Sequence, residues 1–340
     1  MRLKIYYQIL VVSLTLFMFL ACSKEKNSSP TVTVYVSEDQ VFSEPVLKAF
    51  EKETRIKIKA IYDSEESKST GIMNRLLAEK NNPQADVYWA NEPIRAEVLR
   101  TKGILAPYKS PNAKGIDTVF KQKDDYWNGF SARIRLFVVH NNSKHEPTSI
   151  FNYTDPLFQG DAVIANPLFG TTAAHIAALF TILGDAKTKA LMEGMKKNDI
   201  TTSTSNGESA DLVAKERYSF SLVDSDDAIS RLRQKAPIHF VYPDQKSEEV
   251  GAFVIPNTVM LIKDAPHPTQ AKQLIDYLLS PQTEERLAFA DCAQIPLHKG
   301  VKIPKELKPI EQIKVMQVDY SKVAQKLLEI QPYVKAWTNH

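Results

Sequence analysis

Cysteine is nearly missing from this chain: among 340 residues only Cys22 and Cys292 occur. No disulfide framework can be built from that pair. Cys292 sits in Leu287-Ala-Phe-Ala-Asp-Cys-Ala, an apolar helix end, and reads as a buried, inert thiol rather than a nucleophile. An excess of one charge is missing too. The formal net charge is +3, or +1 without Arg2 and Lys4, whereas a nucleic-acid partner calls for a strongly basic face. G-x-S-x-G, H-E-x-x-H, the P-loop and G-x-G-x-x-G are all absent, which removes the commonest hydrolase, zinc-protease and nucleotide-binding readings. No internal repeat or long low-complexity tract is visible. No apolar run reaches the roughly 20 residues of a comfortable membrane span.

What is present starts with a leader. Arg2 and Lys4 precede the short apolar run Ile9–Leu20, and Ala21-Cys22 follow it. Phe19-Leu20-Ala21-Cys22 resembles a bacterial lipobox, in which the cysteine is lipidated and becomes the mature N-terminus. Residues 1–21 are therefore expected to be a lipoprotein signal peptide and 22–30 a polar tether. The expected location is extracytoplasmic, lipid-anchored through Cys22 to a bacterial membrane, facing the periplasm or the cell surface. A plain signal peptide or an uncleaved anchor is the alternative.

Beyond residue 30 strands and helices alternate. Thr31–Val36 reads as a first strand and Ser43–Glu53 as an amphipathic helix, with Ser43 as N-cap and Pro45 in its first turn. Ile56–Ile61 is the second strand, Ser67–Lys80 the second helix, Ala85–Trp89 the third strand, and Asn91-Glu92-Pro93 opens the third helix. This βαβαβα order predicts a mostly parallel sheet covered on both faces. A longer strand at 131–140 and another at 161–165 begin a second unit, which runs to about 250. Pro167–Phe180 opens a helix, Asp185–Lys197 is another, and the strand Tyr218–Val223 runs into Asp224-Ser225-Asp226-Asp227. Helices at 267–279, 281–290 and 319–337 close the chain. The expectation is one lobe from 31–135 plus 257–340, a second from 136–256, and two crossing strands near Arg133–Val139 and Phe253–Val259. Such strands form the hinge of a closing clamp.

Val34-Tyr-Val-Ser37, Ala49-Phe-Glu-Lys-Glu-Thr54, Pro83-Gln-Ala-Asp-Val87, Lys102-Gly-Ile-Leu-Ala-Pro107, Ser203–Asp211 and Leu278-Leu-Ser-Pro-Gln282 occur in that order. Together they resemble the solute-binding proteins of ABC importers, in the group related to ferric-iron-binding proteins, over most of residues 31–300. The resemblance implies a two-lobed α/β fold of the type II periplasmic-binding class, each lobe a mixed, mostly parallel sheet flanked by helices. It also implies capture of one small solute, a permease and its ATPase as partners, and no catalysis. A monomer is expected.

Candidate contacts lie where strands give way to helices. Gly170, Thr171 and Thr172 open a helix whose free N–H groups and hydroxyls suit an anion. Ser67, Ser69 and Thr70, with Lys68, offer the same in the first lobe. Ser37, Asn91 and Glu92 stand at strand ends, Asn206 opens another helix, and Tyr242 is a lone second-lobe phenol. Arg133, near the first crossing, is suited to bidentate anion binding or to a structural ion pair. Asp224, Asp226 and Asp227 pull the other way, either as helix caps complementing the dipole or as a cation site. A cleft of both signs suits an anionic or zwitterionic, phosphonate-like solute. Fe(III) held with a small anion is the alternative, with Asp224 and Asp226 as metal ligands, and then only as transported cargo. Ferric-binding relatives present two consecutive tyrosines from the second lobe, but here the only such pair is Tyr6-Tyr7, in the leader. A reading from another class remains: Asp224-x-Asp226 matches the acid pair of metal-dependent transferases.

Overall fold

A computed structural model of the chain describes residues 29–63 and 70–339. The leader, the tether with Cys22, and Ser67 and Ser69 lie outside the described residues, as does the Thr70 side chain. The first unit opens with β1 (Thr31–Val36), α1 (Gln40–Thr54), β2 (Lys57–Tyr62), α2 (Thr70–Ala78), β3 (Val87–Ala90), α3 (Pro93–Thr101) and β4 (Leu105–Ala106). The long β5 (Asn128–His140) leads into β6 (Ala162–Ala165), α4 (Gly170–Leu183), α5 (Asp185–Lys197), β7 (Thr201–Ser203), α6 (Asn206–Ala214), β8 (Phe220–Asp224), α7 (Ser225–Arg233) and β9 (Ile238–Val241). The chain then returns through β10 (Val254–Ile262), α8 (Pro268–Leu278), α9 (Pro281–Phe289) and α10 (Tyr320–Thr338).

The strands form one path, β2-β1-β3-β10-β5-β8-β6-β7, with β4 beside β10 and β9 beside β5. β1 pairs in parallel with β2 and β3, and β6 in parallel with β7 and β8. β5 belongs to both units. Its residues 128–134 pair antiparallel with β10, while Arg135–His140 pair with β8 on one edge and β9 on the other. Both faces of β5 are covered, so almost every residue on it is buried. β10 returns beside it, with a register shift at Pro256/Asn257, where proline cannot donate to the ladder.

Three details depart from the sequence expectation. α1 starts at Gln40, so Ser43 is not a cap. Its hydroxyl instead donates to the Asp39 carbonyl at 2.9 Å, within the first turn. Besides the two expected crossings, a third stretch lies against the junction: Val315 pairs with Ala252, Met316 N–H donates to Ala252 O at 2.9 Å, and Tyr320 O–H donates to Val254 O at 2.7 Å. Finally, the tail does not return to the first unit as a whole. α8 and α9 do, but α10 packs on α4 and α3. Trp337 Nε1–H donates to Met192 O at 2.9 Å, and Tyr333 O–H to Glu193 at 3.2 Å, both on α5. The apolar stripe of α10, Val323, Ile330, Val334 and Trp337, supplies the reason: it joins an apolar cluster shared by α3 of the first unit and α4 and α5 of the second.

Candidate functional site

β5 sets the site. Its period of two puts Arg133 and Arg135 on one face, at the point where the strand leaves the first unit for the second. Three helices of the second unit begin there: α4 at Gly170, α6 at Asn206, and α7 directly after the last residue of β8, Asp224.

Arg135 is fully buried and nearly saturated. Its Nη1 donates to Asn206 Oδ1 at 2.7 Å, Asp224 Oδ1 at 2.9 Å and Thr171 Oγ1 at 3.3 Å. Its Nη2 donates to Leu222 O at 2.9 Å and Thr172 Oγ1 at 3.1 Å. Thr171 O–H in turn donates to Asp224 Oδ2 at 2.9 Å, and Asn206 Nδ2–H to Thr171 Oγ1 at the same distance. A buried charge is tolerable only when paired and hydrogen-bonded in this way. The threonine hydroxyls expected to meet an anion are thus already committed to Arg135 and its partners. What α4 still offers is backbone. Its N-cap residue, Phe169, makes no side-chain capping bond, Gly170 has φ of 58°, and the N–H groups of the first turn lie at the positive end of the dipole.

Asp224 stands at the N-cap of α7, yet its carboxylate makes no capping bond and turns to Arg135 instead. Asp226 and Asp227 follow in the first turn, and all three acids place an oxygen within 4.8 Å of one another. Burial raises the pKa of Asp226, and the Asp224 charge adds to this against the pull of Arg133. Asp227 is raised by burial and then by its two acidic neighbours, although Arg231 lies 3.4 Å away. Arg133 joins the units: its Nη2 donates to Asn91 O at 2.6 Å, and its Nη1 lies 3.8 Å from Asp224 Oδ2. Burial works against its charge, but Asp224, Asp226, Glu38 and Asp227 outweigh that and raise its pKa.

The other candidates have different places. Ser37 and Asn91 end neighbouring strands, but the Ser37 hydroxyl is bonded to Tyr88 O–H at 2.8 Å and Asp63 at 3.1 Å. Glu92 caps α3, accepting from the N–H groups of Ile94 and Arg95. Tyr242 is packed edge-on against Phe240 with Lys308 over its ring. Sequence reasoning missed Arg135, although the Ala132-Arg-Ile-Arg135 alternation places it beside Arg133. It also missed Ser225, whose Oγ accepts from Ile134 N–H at 3.1 Å and ties α7 to the crossing strand.

The result is a two-signed junction, where the N–H groups of a helix start and two arginines meet the acid cluster of Asp224, Asp226 and Asp227. Residues 32–288 match the family described as bacterial extracellular solute-binding protein. The chain belongs to this family. It is a solute-binding protein of the ABC-importer type, an extracytoplasmic class that hands its solute to a permease with an ATPase. A Salmonella typhi protein named "Putative 2-aminoethylphosphonate-binding periplasmic protein" is 24% identical over 284 residues, covering 80% of this chain and 81% of that protein. Among solved structures, Trichodesmium IdiA (FutA) in complex with iron and citrate superposes with a TM-score of 0.80 at 21% identity, over 90% of this chain and 99% of that one. Actinobacillus pleuropneumoniae AfuA with fructose-6-phosphate bound gives 0.73 at 23% identity, over 91% and 99%. The architecture of this binding protein is that of the type II periplasmic-binding proteins.

Proposed function

We propose that the solute of this binding protein is a small phosphonate-like anion, and most specifically a zwitterion with an oxyanion at one end and an amine at the other. The observation that carries this reading is the uncapped first turn of α4 beside the acids of α7, joined through Thr171 and Asp224, with Arg133 and Arg135 both paired to Asp224. A phosphonate accepts from the helix N-terminus. An ammonium group favours the ionised form of Asp226 and Asp227, which burial and mutual repulsion otherwise disfavour. The Salmonella relative is named for 2-aminoethylphosphonate and the Actinobacillus structure holds a sugar phosphate, so both solutes carry a phosphorus oxyanion. Lipidation of Cys22 would hold the protein at the membrane next to its permease.

Fe(III) is the second reading, favoured by three hard oxygens within 4.8 Å. Two features weigh against it. Asp224 already neutralises Arg135, and two guanidinium groups close by repel a trivalent cation. A thermal-shift series with 2-aminoethylphosphonate, inorganic phosphate and ferric citrate separates the readings. At a hundredfold excess over Kd, binding adds about 2.7 kcal/mol of stability. The zwitterion is expected to raise Tm most and phosphate less. A rise with ferric citrate alone overturns the phosphonate reading.

A further inference from the structure

α7 carries site acids at one end and meets the opposite unit at the other. Arg233, in its last turn, donates from Nη1 to Ala290 O at 3.0 Å and lies 3.6 Å from the Asp291 carboxylate. Ala290 is the C-cap of α9, which belongs to the first unit. Its carbonyl also accepts from Ala293 N–H at 3.0 Å. Arg233 therefore sits at the negative end of the α9 dipole, supplied from across the junction. Midway along α7, Ile229 is 1% exposed and belongs to the apolar cluster made otherwise of first-unit side chains, Leu287, Cys292 and Ile295 among them. From Ser225 to Arg233 a helix spans about 12 Å, too far for Arg233 to touch a solute held at the first turn.

We infer that Arg233 is a latch. It is an affinity-determining residue that holds the two units closed through the C-terminus of α9 while making no contact with the solute. α7 moves as one rigid element, so a solute that draws its first turn toward the first unit also seats Arg233 on Ala290 and Asp291. Opening must break this contact first. One charge-assisted hydrogen bond at a helix terminus shifts such an equilibrium by about fivefold. The exposed Asp291 adds little to this, because its ion pair is largely solvated.

The inference rests on the two-lobed clamp but not on the identity of the solute. Its test is small-angle scattering of the solute-free wild type and Arg233→Gln, with melting temperatures measured in parallel. The latch predicts a larger radius of gyration for the variant, with a melting temperature lowered by no more than the few degrees that one lost contact accounts for. Identical radii overturn it. Should 2-aminoethylphosphonate prove not to bind, the solute assignment falls, and the scattering comparison still decides the latch.

Discussion

His298 is held between two acceptors. Its Nδ1 lies 2.8 Å from Glu284 Oε2, and its Nε2 lies 2.8 Å from the carbonyl oxygen of Asn112. Both contacts are hydrogen bonds only when both nitrogens carry protons, so the geometry selects the imidazolium. Burial works against that charge. The hydrogen bond and the charge of Glu284, with Asn112 O, outweigh it, Lys121 opposes them weakly, and the pKa is raised. Glu284 also accepts from Ser131 N–H at 2.8 Å, so the pair braces the crossing strand. The pair's contribution to stability is complete below the unfolded histidine value of about 6.5 and is lost as pH rises through the higher folded value. Melting curves between pH 5 and pH 9 should show the wild type losing stability on the alkaline side. His298→Gln should lack that slope, and parallel curves would contradict the account. Nothing in the Leu297-His298-Lys299 stretch announces this role, because both partners come from distant segments. Arg135 differs: its face was legible from strand period alone, and its saturation was not, since Asn206, Thr171 and Asp224 meet only after three helix starts converge.

Elements followed the sequence where periodicity was strong. β1, β3, α5 and α8 lie close to their expected ranges because alternation or a 3.6-residue stripe fixes them locally. The short β4, β7 and β9 were not legible. They exist because neighbouring strands offer an edge, and Ile238–Val241 qualifies only by pairing with β5. The third passage at the junction was likewise hidden, because Val315 is held by contact with Ala252 rather than by a pattern of its own. Gly251 explains how that contact fits. Its φ is 85°, and a Cβ there would stand 2.8 Å from Lys314 O and 2.9 Å from Met316 N. Both neighbours are backbone, so room for a Cβ comes only from shifting the 314–316 segment. Gly251→Ala is therefore expected to cost about 2 kcal/mol, combining left-handed strain with displacement of the 314–316 segment. Urea unfolding measures this, and an unchanged midpoint would show the passage to be loosely held.

At the scale of the molecule, the two units, the shared β5 and the family were readable because the order of βα units and the motifs survive without side-chain detail. The tail was legible only in part: α10 carries an apolar stripe, but that it bridges α3 of the first unit and α4 and α5 of the second is beyond the reach of local pattern. No helix among the described residues is long and apolar enough to cross a membrane, and the proposed lipid at Cys22 has a test of its own. Cys22→Ser should move the protein from the detergent to the aqueous phase on Triton X-114 partition, and an unchanged distribution would remove the anchor from the account. The central claim is a two-signed solute site, and calorimetry tests it most directly. Titration of the wild type with 2-aminoethylphosphonate, and in parallel with ethylphosphonate, compares solutes that differ by one ammonium group. The account predicts one-to-one binding of the zwitterion, at least about tenfold tighter than the plain phosphonate for one charge-assisted contact, with most of that difference lost in Asp226→Asn. Equal affinities for the two solutes, or no heat from either beside stoichiometric uptake of iron, would contradict it.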